Sequence, residues 1–119
     1  MRQRFEVPGR FVGLNEFYKM HPMKQYEVKR EHDGRVALAA KEAGLRPFRG
    51  RVRYAVTWYE QNRRRDLDNV AFGKKFIQDG LVKAGVLHND THHEIAGFED
   101  SFAYDARNPR IVVEIWEVE

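Results

Sequence analysis

Two carboxylates separated by one residue, in the string Arg65-Asp66-Leu67-Asp68-Asn69, are the part of the sequence best suited to chemistry. In an extended segment residues i and i+2 point the same way, so Asp66 and Asp68 can converge on one cation while Leu67 faces the core. Such oxygen ligands suit Mg²⁺, which usually takes one or two carboxylates together with waters and substrate phosphate oxygens. A simpler role is also open, in which Asp68 or Asn69 only caps a following helix.

Two further residues could complete a phosphate-cleaving site around these carboxylates. Asp90, in the polar string His88-Asn89-Asp90-Thr91, comes near Asp66 and Asp68 if the strands that flank the two segments are neighbours in a sheet. Lys75 lies seven residues after Asp68, so two helical turns place it on the same side. An ammonium group there can contact the scissile phosphate or its leaving oxygen. On spacing alone, however, a solvated helix lysine is the commoner role.

The histidines near residue 90 suggest a second kind of metal site. His88 and His92 have the i,i+4 spacing of zinc ligands, with His93 and Glu94 beside them. That spacing is useful only on a helix, and this segment is predicted to be a loop that enters a strand. Surface histidines are therefore the preferred interpretation.

Charge is divided unevenly along the chain. Residues 1–60 carry 13 Lys and Arg against 7 Asp and Glu, a net charge of +6, whereas residues 61–119 carry 8 against 11, a net charge of −3. A basic half joined to an acidic half suits a protein that grips a polyanion with one region and holds cations with another. Ordinary scatter of charge in a soluble domain explains the division equally well.

Length and composition limit the class of protein. A chain of 119 residues is expected to form one domain, and the absence of cysteine excludes disulfides and thiolate zinc sites. No apolar stretch approaches the roughly 20 residues that a membrane-spanning helix needs, and the N-terminus leads into no signal-like segment. We therefore expect a cytoplasmic protein without a membrane partner.

The pattern of apolar residues predicts a mixed α/β domain in the order β-α-β-α-β-β, with about four strands in a mixed sheet and two helices. Val52, Tyr54, Val56 and Trp58 should share one face of the clearest strand. The turn at residues 106–109 predicts that the last two strands form an antiparallel hairpin. The predicted elements are strands at 5–7, 51–59, 95–104 and 110–118, and helices at 23–43 and 70–84.

Taken together, three segments resemble the RusA family of Holliday junction resolvases, which occurs largely in phages and prophages. They are residues 64–69, an amphipathic helix that ends in Gly80-Leu81-Val82-Lys83-Ala84-Gly85, and the pair Asn89-Asp90. Gly13-Leu14-Asn15-Glu16 followed by Tyr18 resembles the opening loop of the family more weakly. The resemblance implies that Asp66, Asp68 and Asp90 are metal-binding catalytic carboxylates and that Lys75 is the catalytic lysine.

The sequence departs from the family pattern at one place. The family places its lysine about one helical turn closer to the acidic motif, so residues 70–74 hold an insertion of about three residues. Matching backwards from the shared helix ending selects Lys75, and Lys74 stays open as the alternative.

The resemblance also implies a function. Members of the family are dimeric, Mg²⁺-dependent endonucleases, so we expect a homodimer that resolves four-way DNA junctions by paired symmetric nicks in recombination and repair. Mn²⁺ is expected to substitute for Mg²⁺, and the site of action to be the nucleoid of a bacterial or phage-infected cell. Two alternatives stay open: a non-catalytic protein that binds branched DNA, and a nuclease of this fold that cuts flaps or forks. The residues expected to contact DNA are Asn15, Arg63, Arg64, Arg65, Asn69 and Lys74.

Overall fold

A computed structural model describes residues 1–118 of the chain. The predicted class is confirmed, because four strands form one mixed sheet and the helices lie between them in sequence. Among the described residues, no helix is both long and apolar enough to cross a membrane. The elements are β1 (Arg2–Pro8), α1 (Leu14–Phe17), α2 (Pro22–Glu42), β2 (Val52–Glu60), α3 (Leu67–Ala71), α4 (Lys74–Lys83), β3 (Ile95–Tyr104) and β4 (Arg110–Glu117).

The sheet has the strand order β1-β4-β2-β3. β4 pairs antiparallel with both β1 and β2, whereas β2 and β3 pair in parallel. The predicted β3–β4 hairpin is therefore wrong, because β2 lies between these two strands. Hydrophobic content explains the arrangement: β4 buries Ile111, Val112, Val113 and Ile115 in the interior of the sheet, whereas most residues of β3 keep some exposure at its edge.

One face of the sheet is covered by α2 and α4. The predicted alternation in β2 is confirmed, since Val52, Tyr54, Val56 and Trp58 are all buried. The two helices pack closely where they cross. A Cβ built on Gly80 of α4 would lie 2.4 Å from the Cβ of Val36 in α2, so only glycine fits between the two helices.

The predicted second helix is in fact two helices, which meet at Phe72 and Gly73. A side chain at Gly73 would lie 2.9 Å from the ring of Phe11 and 3.0 Å from the ring of Trp58. The break therefore lets the backbone approach the aromatic core. It also falls within residues 70–74, where the sequence comparison placed an insertion.

Candidate functional site

The acidic motif lies where β2 leaves the sheet and α3 begins. Asp66 is the N-cap residue of α3, but its side chain makes no capping hydrogen bond. Asp68 is the second residue of the helix, and its Oδ1 accepts the N–H of Asn69 at 3.0 Å. Both carboxylates are exposed, and among residues 1–118 neither forms a salt bridge. Asp66, and not Asp68 or Asn69, is therefore the N-cap residue, although Asp68 still accepts a backbone N–H of the first turn. Both carboxylates are accessible to a cation.

Leu67 does not face the core as predicted; its side chain is 60% exposed. The prediction assumed an extended segment, whereas α3 already begins at Leu67. Helical rotation then turns Asn69 and Val70 inwards and leaves residue 67 on the surface. A large apolar side chain consequently stands in solvent between the two carboxylates.

Asn69 connects the acidic motif to the N-terminal loop. Its side chain is buried, and its Oδ1 accepts the backbone N–H of Asn15 at 2.8 Å. Gly13 lies so close that a Cβ there would be 2.6 Å from the same oxygen. Asn69, expected to contact DNA, is thus directed into the protein, while Asn15 is exposed beside the motif.

Arg65 also binds inside the protein. Its Nε and Nη2 donate to the two carboxylate oxygens of Glu60 at 2.9 Å each, and its Nη1 donates to the carbonyl of Phe11 at 2.9 Å. Arg10 approaches Glu60 from the other side, at 3.2 Å. These contacts fix the loop between β2 and the acidic motif. Of the three consecutive arginines, Arg63 and Arg64 are exposed and Arg65 is largely enclosed.

Glu60 was missed by the sequence analysis, although a signal for it exists. It continues the period-two alternation of buried residues in β2, so its side chain must point to the covered face of the sheet. A carboxylate there requires basic partners, because an unpaired buried charge is costly. Arg10 and Arg65 are the partners that meet this requirement.

The two candidate lysines have different surroundings. Lys74 forms an ion pair with Asp100, which also accepts the indole N–H of Trp58 at 2.8 Å, and the Lys74 side chain is only 17% exposed. Lys75 is 57% exposed, with its Nζ 3.5 Å from Asp79 one turn further along α4. Lys75 is therefore the more accessible ammonium group.

Asp79 belongs to a charged group that includes Asp90. Burial raises the pKa of Asp79, but the hydrogen bond with Lys29 and the charges of Lys29 and Lys75 outweigh this effect, so the pKa lies below its ordinary value, and Asp90 is close enough to influence it as well. The Nζ of Lys29 lies 2.6 Å from the Asp79 carboxylate. Asp90 thus lies beside Asp79, on the side of the molecule where Lys75 is found.

The structure does not gather the three predicted carboxylates into one cluster. β2 and β3 are neighbours, as the argument for Asp90 required, but they run in parallel, with Val52 paired to Ile95. Asp90 lies in the loop before β3, beside Asp79, whereas the acidic motif follows the end of β2. Within the part of the chain that the structure describes, no three His, Asp or Glu side chains form a group able to hold a metal.

Comparison with known proteins adds evidence from the sequence as a whole. The family model described as endodeoxyribonuclease RusA matches residues 2–116, which include the N-terminal loop, the acidic motif and Asp90. No curated protein matches the chain.

Proposed function

The chain belongs to the RusA family of endodeoxyribonucleases, and from this premise we propose that it resolves four-way DNA junctions by Mg²⁺-dependent hydrolysis of paired phosphodiesters. The observation that carries the proposal is the state of Asp66 and Asp68. Both carboxylates are exposed and free of salt bridges within residues 1–118, on a segment that Arg65 and Asn69 fix from either side. Carboxylates that only stabilised the fold would be expected to have partners of their own.

The donor set fits Mg²⁺. This ion prefers oxygen ligands, and one or two carboxylates suffice when waters and substrate phosphate oxygens complete the coordination. Asp66 and Asp68 would hold it, and the family resemblance adds Asp90, which in this structure lies apart from them beside Asp79. When bound, Mg²⁺ supplies a Lewis acid and an activated water at the scissile phosphate, and Mn²⁺ would substitute for it.

The remaining polar side chains position the DNA and balance its charge. Lys75 would place its ammonium group against the attacked phosphate, and Asp79, 3.5 Å away, would hold that group in place. Lys74 is less suited to this role, because its ion pair with Asp100 is largely enclosed. Arg63 and Arg64 would contact backbone phosphates directly.

Three of the residues expected to touch DNA are assigned an indirect role in this proposal. Arg65, Asn69 and Lys74 contact Glu60, Asn15 and Asp100 within the chain. They would affect DNA binding by fixing the loop, the N-terminal segment and the start of α4. Asn15, which is exposed beside the motif, would contact DNA itself.

Paired nicks require two active sites. Each chain carries one acidic motif, so a two-fold symmetric dimer would place the two sites on opposite strands of a junction. Light scattering at micromolar concentration should detect twice the mass of the 14.1 kDa chain. A species of one chain mass alone would contradict paired cleavage by a stable dimer.

The deciding experiment is Asp68→Asn assayed on a labelled four-way junction, with and without Mg²⁺. Asparagine keeps the shape of the side chain but removes a charge that Mg²⁺ needs, so nicking should nearly vanish. Junction binding without metal should be unchanged or tighter, because one carboxylate that repels phosphates has been neutralised. Linear duplex, flap and fork substrates of matched sequence serve as controls. An Asp68→Asn protein that still nicks the junction would exclude the metal site, and preferred cutting of flaps or forks would replace the proposed substrate.

A further inference from the structure

A cavity of about 270 Å³ opens beside the acidic motif, between α3 and the edge strand β3. Its walls are mainly apolar, and Glu60 and Arg65 lie at its polar end. Its lining includes Leu67 and Val70 from α3, Phe102, Ala103 and Tyr104 from β3, and Asn62 and Arg63 from the loop between β2 and α3. The proposed hydrolysis at the acidic motif does not involve this cavity.

The register of the sheet explains why aromatic side chains face this cavity. Phe102 pairs with Trp58 and Tyr104 pairs with Glu60, so both aromatic residues lie on the face of the sheet that the helices cover. The α-helices do not extend over the end of β3, and Tyr104 stays 54% exposed. Leu67 is 60% exposed on the opposite wall, directly between Asp66 and Asp68.

We propose that this cavity binds one unpaired nucleobase of the branched DNA, adjacent to the phosphate held at the acidic motif. The proposal rests on the proposed function, since it assigns a second contact of the same substrate. A base in the cavity would lie against the Tyr104 ring and the Leu67 side chain. Stacking between aromatic and apolar side chains is the usual environment of a base that leaves its helix.

Charge and size both favour a nucleobase over other occupants. The guanidinium carbon of Arg63 lies 5.7 Å from the centre of the Tyr104 ring, and Arg64 is exposed beside it, so the entrance is positively charged. Such an entrance suits a base that remains attached to its phosphates. The cavity is also slightly smaller than the roughly 300–1,000 Å³ of pockets for drug-sized ligands, which fits a single ring system.

Extrusion of a base needs less free energy at the branch point of the DNA, and the acidic motif beside the cavity would place that branch point there. Base pairs at the branch point of an open four-way junction lack one stacking neighbour, so a base there costs less to remove from the helix than a base within a continuous duplex. Extrusion of a base from a continuous duplex requires the full free energy of unstacking. The cavity would therefore favour branched over linear DNA at the site where the strand is cut.

Photocrosslinking tests the contact directly. A set of four-way junctions is prepared, each with a single 5-iododeoxyuridine at a different position near the scissile phosphate, on one side of it or the other. Each junction is bound to the full-length protein without metal and then irradiated. This base crosslinks to aromatic side chains that it touches, and peptide mass spectrometry locates the attachment. We expect a crosslink to Tyr104 from one position and none from the same base in linear duplex. Absence of a Tyr104 crosslink from every position would overturn the proposal.

Substitutions at Tyr104 separate stacking from apolar packing. Tyr104→Phe keeps the ring and should bind the junction like the natural protein. Tyr104→Leu removes the ring and should weaken junction binding about 5- to 150-fold, which corresponds to the loss of one stacked base, and leave duplex binding unchanged. Equal junction affinity in both variants would overturn the proposal.

Leu67 and Leu38 form a second matched pair, because Leu38 on α2 is 58% exposed and lies outside the cavity. Leu67→Ala should weaken junction binding, and Leu38→Ala should not. Equal effects of the two substitutions would count against the cavity. Thermal denaturation of each variant distinguishes lost binding from lost folding.

The outcomes also separate this proposal from the proposed function. A natural protein that nicks the junction but forms no Tyr104 crosslink would leave the nuclease in place and remove the base site. A protein that crosslinks through Tyr104 but never nicks would retain the base site and remove the metal-dependent cleavage. If Tyr104→Leu instead halves the mass of the particle in solution, the cavity holds a second copy of the chain and the nucleobase is excluded.

Discussion

Glu60→Gln tests whether the enclosed ion pairs, rather than chance packing, fix the loop that carries the acidic motif. The substitution keeps the shape of the side chain but leaves Arg65 and Arg10 without their counter-charge. Breaking a fully buried pair costs about 3–5 kcal/mol. The Glu60 and Arg65 side chains keep 11% and 19% exposure, and glutamine retains one acceptor oxygen. We therefore expect the free energy of unfolding to fall by about 2 kcal/mol, which is within the range for a hydrogen bond to a charged group.

Thermal denaturation provides the measurement. For a domain of this size each kcal/mol corresponds to roughly 4 °C, so the Tm of Glu60→Gln should fall by about 8 °C. Arg64→Gln is the matched control, because Arg64 is exposed and its Tm should change by less than about 2 °C.

A double-mutant cycle isolates the pair itself. Glu60→Gln combined with Arg65→Gln should be less damaging than the sum of the two single changes, by on the order of 1 kcal/mol, because the pair is lost only once. Strict additivity, or a Glu60→Gln protein as stable as the natural one, would refute the argument that this pair fixes the loop.

Three further predictions use other features of the structure. Gly80→Ala should lower the free energy of unfolding by about 1–3 kcal/mol, because the added methyl group overpacks α2 against α4. Gly34 has open space around it, so Gly34→Ala should raise the free energy of unfolding by up to about 1 kcal/mol. Equal denaturation midpoints for the two variants would contradict both expectations. Lys75→Ala should slow junction nicking on the order of 10²-fold with little loss of binding, whereas Lys74→Ala should mainly lower Tm; the reverse ranking in single-turnover assays would make Lys74 the catalytic lysine. Burial lowers the pKa of His32 from its ordinary 6.5, so the imidazole is harder to protonate in the folded than in the unfolded protein. The neutral His32 therefore stabilises the fold above pH 6.5, and this contribution should decline as the pH falls below 6.5. The difference in Tm between pH 7.5 and pH 5.5 should be smaller for His32→Gln than for the natural protein. An identical difference in the two proteins would exclude His32 as a cause of the pH dependence.

Most of the fold could be predicted from local patterns, and the pairing of the last two strands could not. β3 begins and ends as predicted, at Ile95 and Tyr104, because residues of strand character continue to a clear turn. The same turn suggested a hairpin, since a local sequence gives no information about which strand enters between two others. That outcome depends on how much apolar surface each strand buries, and the apolar β4 takes the interior position.

The candidate site could be located from the sequence, but its geometry could not. The types and spacing of Asp66 and Asp68 predict a metal site for an extended backbone, in which residues i and i+2 point the same way, whereas residues two apart on a helix do not face each other. The orientation of Leu67 depends on whether this segment is extended or helical, and the helix begins at Leu67, three residues earlier than the predicted start at residue 70. The relation to Asp90 depends on a parallel pairing that joins residues more than 40 positions apart, which no short motif encodes.

The N-terminal loop and the acidic motif form one structural unit. Three side chains from different elements hold the loop: Arg65 donates to the carbonyl of Phe11, His32 accepts the N–H of Val12 at 3.0 Å, and Asn69 accepts the N–H of Asn15.

Two of these three side chains, Arg65 and Asn69, flank the carboxylates directly in sequence. A displacement of the loop would therefore move Asp66 and Asp68 as well. Under the proposed function, Asp66 and Asp68 are metal ligands, which must be held within about 0.5 Å of their productive positions. The same contacts that bury Asn69 and enclose Arg65 would then also set the precision of the site.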